Sequence, residues 1–130
     1  MSTIQRFEDL EIWKNARLLC QEIRELTQNS TLSKDYSIKD QILRSSGSIM
    51  DNIAEGFERD GKKEFLQFLY IAKGSLGETR SQLYRCFDAK HITEEQSNKL
   101  LQDCYNLSAQ IKHFINYLAK SGIEGTKKKL

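Results

Sequence analysis

Proline is absent from this chain of 130 residues. A proline costs about 3 kcal/mol in a helix interior, so a chain without any can form long uninterrupted helices. No apolar run reaches the roughly 18 residues of a membrane span, which excludes a membrane helix. The opening Met1-Ser2-Thr3-Ile4-Gln5-Arg6-Phe7-Glu8-Asp9 lacks an apolar export core and points to the cytoplasm. Cysteine is scarce, and Cys20, Cys86 and Cys104 show no Cys-x-x-Cys spacing. They read as small buried hydrophobes in a reducing compartment, not as a disulfide framework or a zinc ribbon. There are two histidines, and neither completes the paired Glu-x-x-His pattern of metal-carrying bundles. Gln110 stands three before His113. Asp88 stands three before His91, at a helix end and without a second copy, so His91 is expected to face solvent or cap a helix. No glycine-rich phosphate loop is present either. No metal, cofactor or catalytic set is therefore expected.

Four amphipathic segments are present, in a length that suits one domain. The first runs from about Glu8 to Gln28, with Leu10, Trp13, Ala16, Leu19 or Cys20, Ile23 and Leu26 at steps of three and four. Asn29 to Lys34 reads as a loop. The second begins near Tyr36, with Ser37 and Asp40 as a weak capping box, and carries Ile38, Ile42, Ile49, Ile53 and Phe57 on its buried side. Asp60-Gly61 breaks the pattern, and Gly61 is expected to take the left-handed conformation that ends a helix. So short a connection folds the third segment back antiparallel on the second. That third segment, about Lys62 to Ala89, is expected to bury Phe65, Phe68, Leu69, Ala72, Leu76, Leu83 and Phe87. Gly74, Gly77 and Ser81 share one small-residue face of it, read as a close helix contact. Thr93-Glu94-Glu95-Gln96 is a good capping box for the fourth segment, which runs to about Lys120. The predicted fold is an all-α, antiparallel up-down-up-down four-helix bundle over residues 1–120, followed by a flexible basic tail over 121–130.

A net charge of +2 does not announce a nucleic-acid binder. The basic residues Arg44, Arg59, Lys62, Lys63 and Lys73 could nonetheless gather near the second turn, with Lys127, Lys128 and Lys129 adding attraction for polyanions. Glu55, Glu58, Asp60 and Glu64 are interleaved with them, so a solvated mixed-charge surface is the competing reading. Beside the apolar stripe of the second segment lies a polar one, Ser45, Ser48, Asn52, Glu55 and Arg59. It reads as either a solvated face or a seam between helices or subunits that selects one packing.

The run Ser48-Ile49-Met50-Asp51-Asn52-Ile53-Ala54-Glu55-Gly56, with Arg59, Glu64-Phe65, Phe68-Leu69, Gly74-Ser75, Glu78 and Gln82-Leu83, resembles the bacterial four-helix bundle family, also called the 23S ribosomal RNA intervening sequence protein family. The opening Phe7-Glu8-Asp9-Leu10-Glu11-Ile12-Trp13 is similar to its N-terminal signature. Met50 departs from the family's usual proline and Gly77 from its usual alanine. The resemblance implies a homopentameric ring without catalytic residues, and a distant relative that binds nucleic acid implies RNA or DNA as a partner. It also implies that Asn52, Glu55, Gly56, Arg59, Glu64, Gly74, Ser75 and Glu78 surround the contact of the second and third helices or of subunits. A purely structural protein–protein scaffold is the alternative.

Overall fold

The computed structural model describes residues 4–122. Four helices follow in chain order: α1 (Glu11–Gln28), α2 (Tyr36–Glu58), α3 (Lys62–Asp88) and α4 (Glu94–Lys120). Cross-helix contacts fix their directions. Asn15 bonds Gln110 between α1 and α4, Ser45 bonds Gln82 between α2 and α3, and Lys62 reaches the Ser121 carbonyl just beyond α4. Low positions of one helix meet high positions of the next in each pair, so neighbours run antiparallel. The bundle is up-down-up-down, with α2 packed most extensively on α3 and α1 closing the ring against α4.

The spacing of apolar residues accounts for the core. Ala16, Leu19 and Ile23 of α1, Ile42, Ile49, Ile53 and Phe57 of α2, and Phe65, Leu69, Ala72, Leu76 and Leu83 of α3 are buried. Cys104, Leu107, Ile111, Ile115 and Leu118 of α4 complete the cluster. Thr93 accepts from the Gln96 backbone N–H while the Gln96 side chain accepts from the Thr93 N–H, the reciprocal cap the sequence predicts.

Several local details differ from the sequence expectation. Phe7–Asp9 forms a separate 3₁₀ turn, and α1 begins only at Glu11. The expected loop at 29–34 contains a second 3₁₀ turn, Thr31–Lys34, because it carries Leu32, which is wholly buried. α2 already starts at Tyr36, so Ser37 stands inside the first turn and cannot cap it; its hydroxyl accepts from Gln41 instead. Trp13 and Ile38 are only partly buried, whereas Ile12 joins the core. Near the end of α3, Cys86 turns inward and Phe87 remains 38% exposed. One residue is a 100° rotation on a helix, enough to exchange core for surface.

The turn between α2 and α3 is closed by Asp60, not Gly61. Asp60 has φ 56°, while Gly61 is extended at the N-cap of α3. Aspartate tolerates the left-handed region better than most side chains. The glycine that matters for packing is Gly56. A Cβ built there would lie 2.6 Å from the Phe68 Cβ and 3.0 Å from a ring carbon of Phe65. α2 and α3 approach closely at that point only because position 56 has no side chain.

Candidate functional site

Between α2 and α3 the small polar residues form a ladder. The Ser45 hydroxyl donates to Gln82 Oε1 at 2.6 Å, and the Thr79 hydroxyl lies 2.9 Å from Ser45 Oγ. The Ser48 and Ser75 hydroxyls are 3.0 Å apart, and Asn52 Nδ2 donates to Ser48 Oγ at 2.8 Å. Ser45, Ser75, Thr79 and Gln82 are buried, so these bonds satisfy groups that would otherwise be desolvated alone. Asn52, Gly56 and Ser75 therefore stand in the α2–α3 contact itself. Glu55, Glu64 and Glu78 are exposed along its margins. A shallow cleft of about 420 Å³ opens beside the ladder, with Arg44 and Glu78 in its wall.

Gly74, Gly77 and Ser81 come out differently from the close helix contact expected of them. All three are exposed, and beyond the adjoining turns of α3 itself no atom of the described residues stands within 4 Å of a Cβ built on either glycine. They form an outward strip of α3, bordered by Tyr70 and Tyr84, which are 55% and 48% exposed. Close packing within the chain does not explain them.

The predicted basic residues do not form one patch. Arg44 is on α2 and Arg59 caps its C-terminus, 15 positions and thus roughly 22 Å away along the axis. Arg59 donates to Glu55 at 2.9 Å and lies over the Phe68 ring. Lys62 turns toward the end of α4, where its Nζ donates to the Ser121 carbonyl. Lys63 is exposed and Lys73 half-buried in the middle of α3. Lys127, Lys128 and Lys129 lie outside the described residues.

Two further bases, Arg80 and Lys112, were not among those singled out from the sequence. The Arg80 guanidinium lies over the Tyr105 ring, 4.2 Å from its centroid, across the α3–α4 groove. Its Nε is buried without a hydrogen-bond partner among the described residues. Two signals pointed there: the regular spacing of Lys62, Lys73 and Arg80, and the lack of any acidic residue over 104–122.

His91 is not a solvent-facing residue. Its side chain is 14% exposed, with Nε2 2.9 Å from Asp35 Oδ2 and Nδ1 2.8 Å from Thr31 Oγ1. It ties the α3–α4 turn to the segment before α2. The hydrogen bond from His91 holds the Asp35 carboxyl below its ordinary value of 3.8. A depressed carboxyl stabilises the fold above its unfolded pKa and loses that contribution as pH falls through the folded one. Wild-type protein should therefore lose stability in acid below about pH 3.8, more steeply than Asp35→Asn. Chemical unfolding followed between neutral pH and strong acid would check this.

Cys86 and Cys104 have no nucleophilic setting. Burial pushes Cys86 up to about 11 and Cys104 up to about 12, so both stay protonated near neutrality. Cys20 is half-buried on α1. A disulfide-exchange reagent is expected to titrate Cys20 in the native protein and the other two only after unfolding. Among the described residues no group of three or more His, Cys, Asp or Glu is placed to hold a metal ion. No described helix is long and apolar enough to cross a membrane.

The fold has a solved counterpart. A crystal structure of a protein of unknown function from the S23 ribosomal protein family of Bacteroides thetaiotaomicron VPI-5482 is similar to it at a TM-score of 0.73. The two share 24% identity over 80% of this chain and 97% of that one, a likeness that concerns the fold alone. Comparison with curated proteins found no match. Residues 8–113, spanning α1 to α3 and most of α4, match the family described as 23S rRNA-intervening sequence protein, and the chain belongs to that family.

Proposed function

We propose that this chain is a non-enzymatic subunit of a cytoplasmic homo-oligomeric ring, a pentamer on the family resemblance, that binds structured RNA or another nucleic acid. The outer face of α3 is the observation that carries the reading. Gly74 and Gly77 each weaken the helix by about 1 kcal/mol relative to alanine. Nothing among the described residues packs against either of them, whereas a second subunit's backbone could approach closely there. Tyr70, Ile71 and Tyr84, all about half exposed, supply apolar area next to the strip. A repeated contact between two different faces generates a ring when its rotation closes.

A scaffold without nucleic acid is the competing reading. It is favoured by the Glu55–Arg59 pair and by Glu78 beside Arg44, which reduce the field of the α2 bases. Light scattering after size exclusion tests assembly: an oligomer is expected, and a monomer at micromolar concentration would overturn it. Gly74→Leu should give a folded monomer with wild-type helical content, since the change adds helix propensity and meets no neighbour among the described residues. Nucleic-acid binding should weaken steeply with salt. Its absence at low salt would leave the scaffold.

A further inference from the structure

The two halves of the described chain carry opposite charge. Residues 4–60 hold 8 Lys and Arg against 11 Asp and Glu, while residues 61–122 hold 9 against 6. The positive excess is concentrated along one groove. Lys62, Lys73 and Arg80 are 11 and 7 positions apart, close to three and two whole helical turns, so they share one side of α3. Two contacts show which side it is: Lys62 reaches Ser121 and Arg80 covers Tyr105. Both point to α4. The antiparallel register set by those contacts places Lys73 level with Lys112. Lys112 stands 7 positions after Tyr105 and therefore on the same side of α4.

Among the described residues of α3 and α4, no carboxylate shares the side on which this row lies. The acids of α3 nearest to it, Glu64 and Glu78, are each two positions from a member, which places them on the far side of the helix. α4 carries no acid from 104 to 120, and Asp103 is held on the α1 side by Lys99, which also bonds Glu22. Lys73 and Lys112 make no ion pair among the described residues. Two cations at one level of a groove are unfavourable unless an anion lies between them. The Arg80 guanidinium lies over Tyr105, and its buried Nε has no acceptor among the described residues. From Lys62 to Arg80 the row spans roughly 27 Å, long enough to follow several successive phosphates.

We infer that the α3–α4 groove is the track for the sugar–phosphate backbone of a folded RNA, with Lys62, Lys73, Arg80 and Lys112 as its phosphate contacts. This rests on the nucleic-acid reading above and gives it a surface other than the second turn. Contacts of this kind carry affinity and salt dependence but little sequence preference.

The test uses the full-length protein and a fluorescent RNA hairpin, titrated over a range of salt. Lys73→Gln with Lys112→Gln should weaken binding about tenfold or more at low salt and reduce the slope of log affinity against log salt by roughly 1.5–2. Arg44→Gln with Lys63→Gln, off the groove, should stay within about twofold of wild type. If wild type binds and the groove variant binds equally well, the groove assignment fails and the nucleic-acid reading survives. Greater loss in the Arg44 and Lys63 variant has the same meaning. If wild type does not bind even at low salt, both fall. Light scattering on the groove variant closes the remaining route: dissociation of the oligomer would show the groove to be a subunit contact and overturn the assignment.

Discussion

Gly56→Ala is expected to destabilise the bundle by about 1–3 kcal/mol, although alanine is the better helix former by about 1 kcal/mol. The new methyl would lie 2.6 Å from the Phe68 Cβ, an atom fixed to the α3 backbone. Rotamer change cannot relieve that contact, so α2 and α3 must separate. Separation would loosen the nearby Phe57–Phe65 edge-on pair, whose centroids are 6.0 Å apart. Gly74→Ala provides the control, because the same change with no neighbour within 4 Å should be neutral or stabilising for the subunit. Denaturant unfolding of both variants at one protein concentration checks the opposite signs. Equal effects would mean that the two glycines do not differ in surroundings as described.

The glycine pair shows what the sequence could and could not convey. Gly56, Gly74 and Gly77 all interrupt helical patterns, and helix propensity treats them alike. Which one admits a neighbouring helix depends on where each points, and that follows from the core stripe only within the error of its phase. For the stripes themselves the information was ample. Ile42, Ile49, Ile53 and Phe57 recur at helical steps with nothing to contradict them, and all four are buried. At the end of α3 two adjacent apolar residues, Cys86 and Phe87, compete for one inward position. Both were expected to be buried, and the helix phase admits only Cys86. The reading of Asp60-Gly61 erred for a related reason, since a glycine is permitted left-handed geometry but is not compelled to adopt it. Asp60 adopts it instead and leaves Gly61 extended.

The proposed RNA track was less legible because it belongs to two helices. Lys62 and Lys73 were visible as bases, yet adjacency in sequence drew them toward Arg59 and Lys63. Their helical spacing to Arg80 joins them on one side, but only the α3–α4 register brings Lys112 and Tyr105 opposite. The α2–α3 ladder was half visible. Ser45, Ser48 and Asn52 stood out as a polar stripe and Gln82 within the family run, while Thr79, their neighbour on α3, matched no pattern. The polar seam serves the contact between helices in the subunit, which leaves the outer α3 strip as the better candidate for contact between subunits.

Phe65→Ala should produce the largest loss of stability, about 3–5 kcal/mol, the range for removing a buried aromatic side chain. Phe65 is wholly buried near the start of α3 and links three helices. Its ring meets Phe57 of α2 at 86° and Phe114 of α4 at 62°, with centroids 6.0 and 5.6 Å away. Edge-on pairs of this kind contribute roughly 0.5–1.5 kcal/mol beyond the area they bury, so truncation removes two of them together with the packing. The site also lies under Gly56, where the α2 backbone is closest, and the surrounding helices have little freedom to collapse into the space. For a domain of this size the loss corresponds to a fall in melting temperature of roughly 10–20 °C. Calorimetry at fixed protein concentration would measure it, with Phe87→Ala as the comparison. Phe87 is 38% exposed, and its truncation should lower the melting temperature by much less. Equal losses would remove Phe65 from the place it holds here, at the junction of α2, α3 and α4.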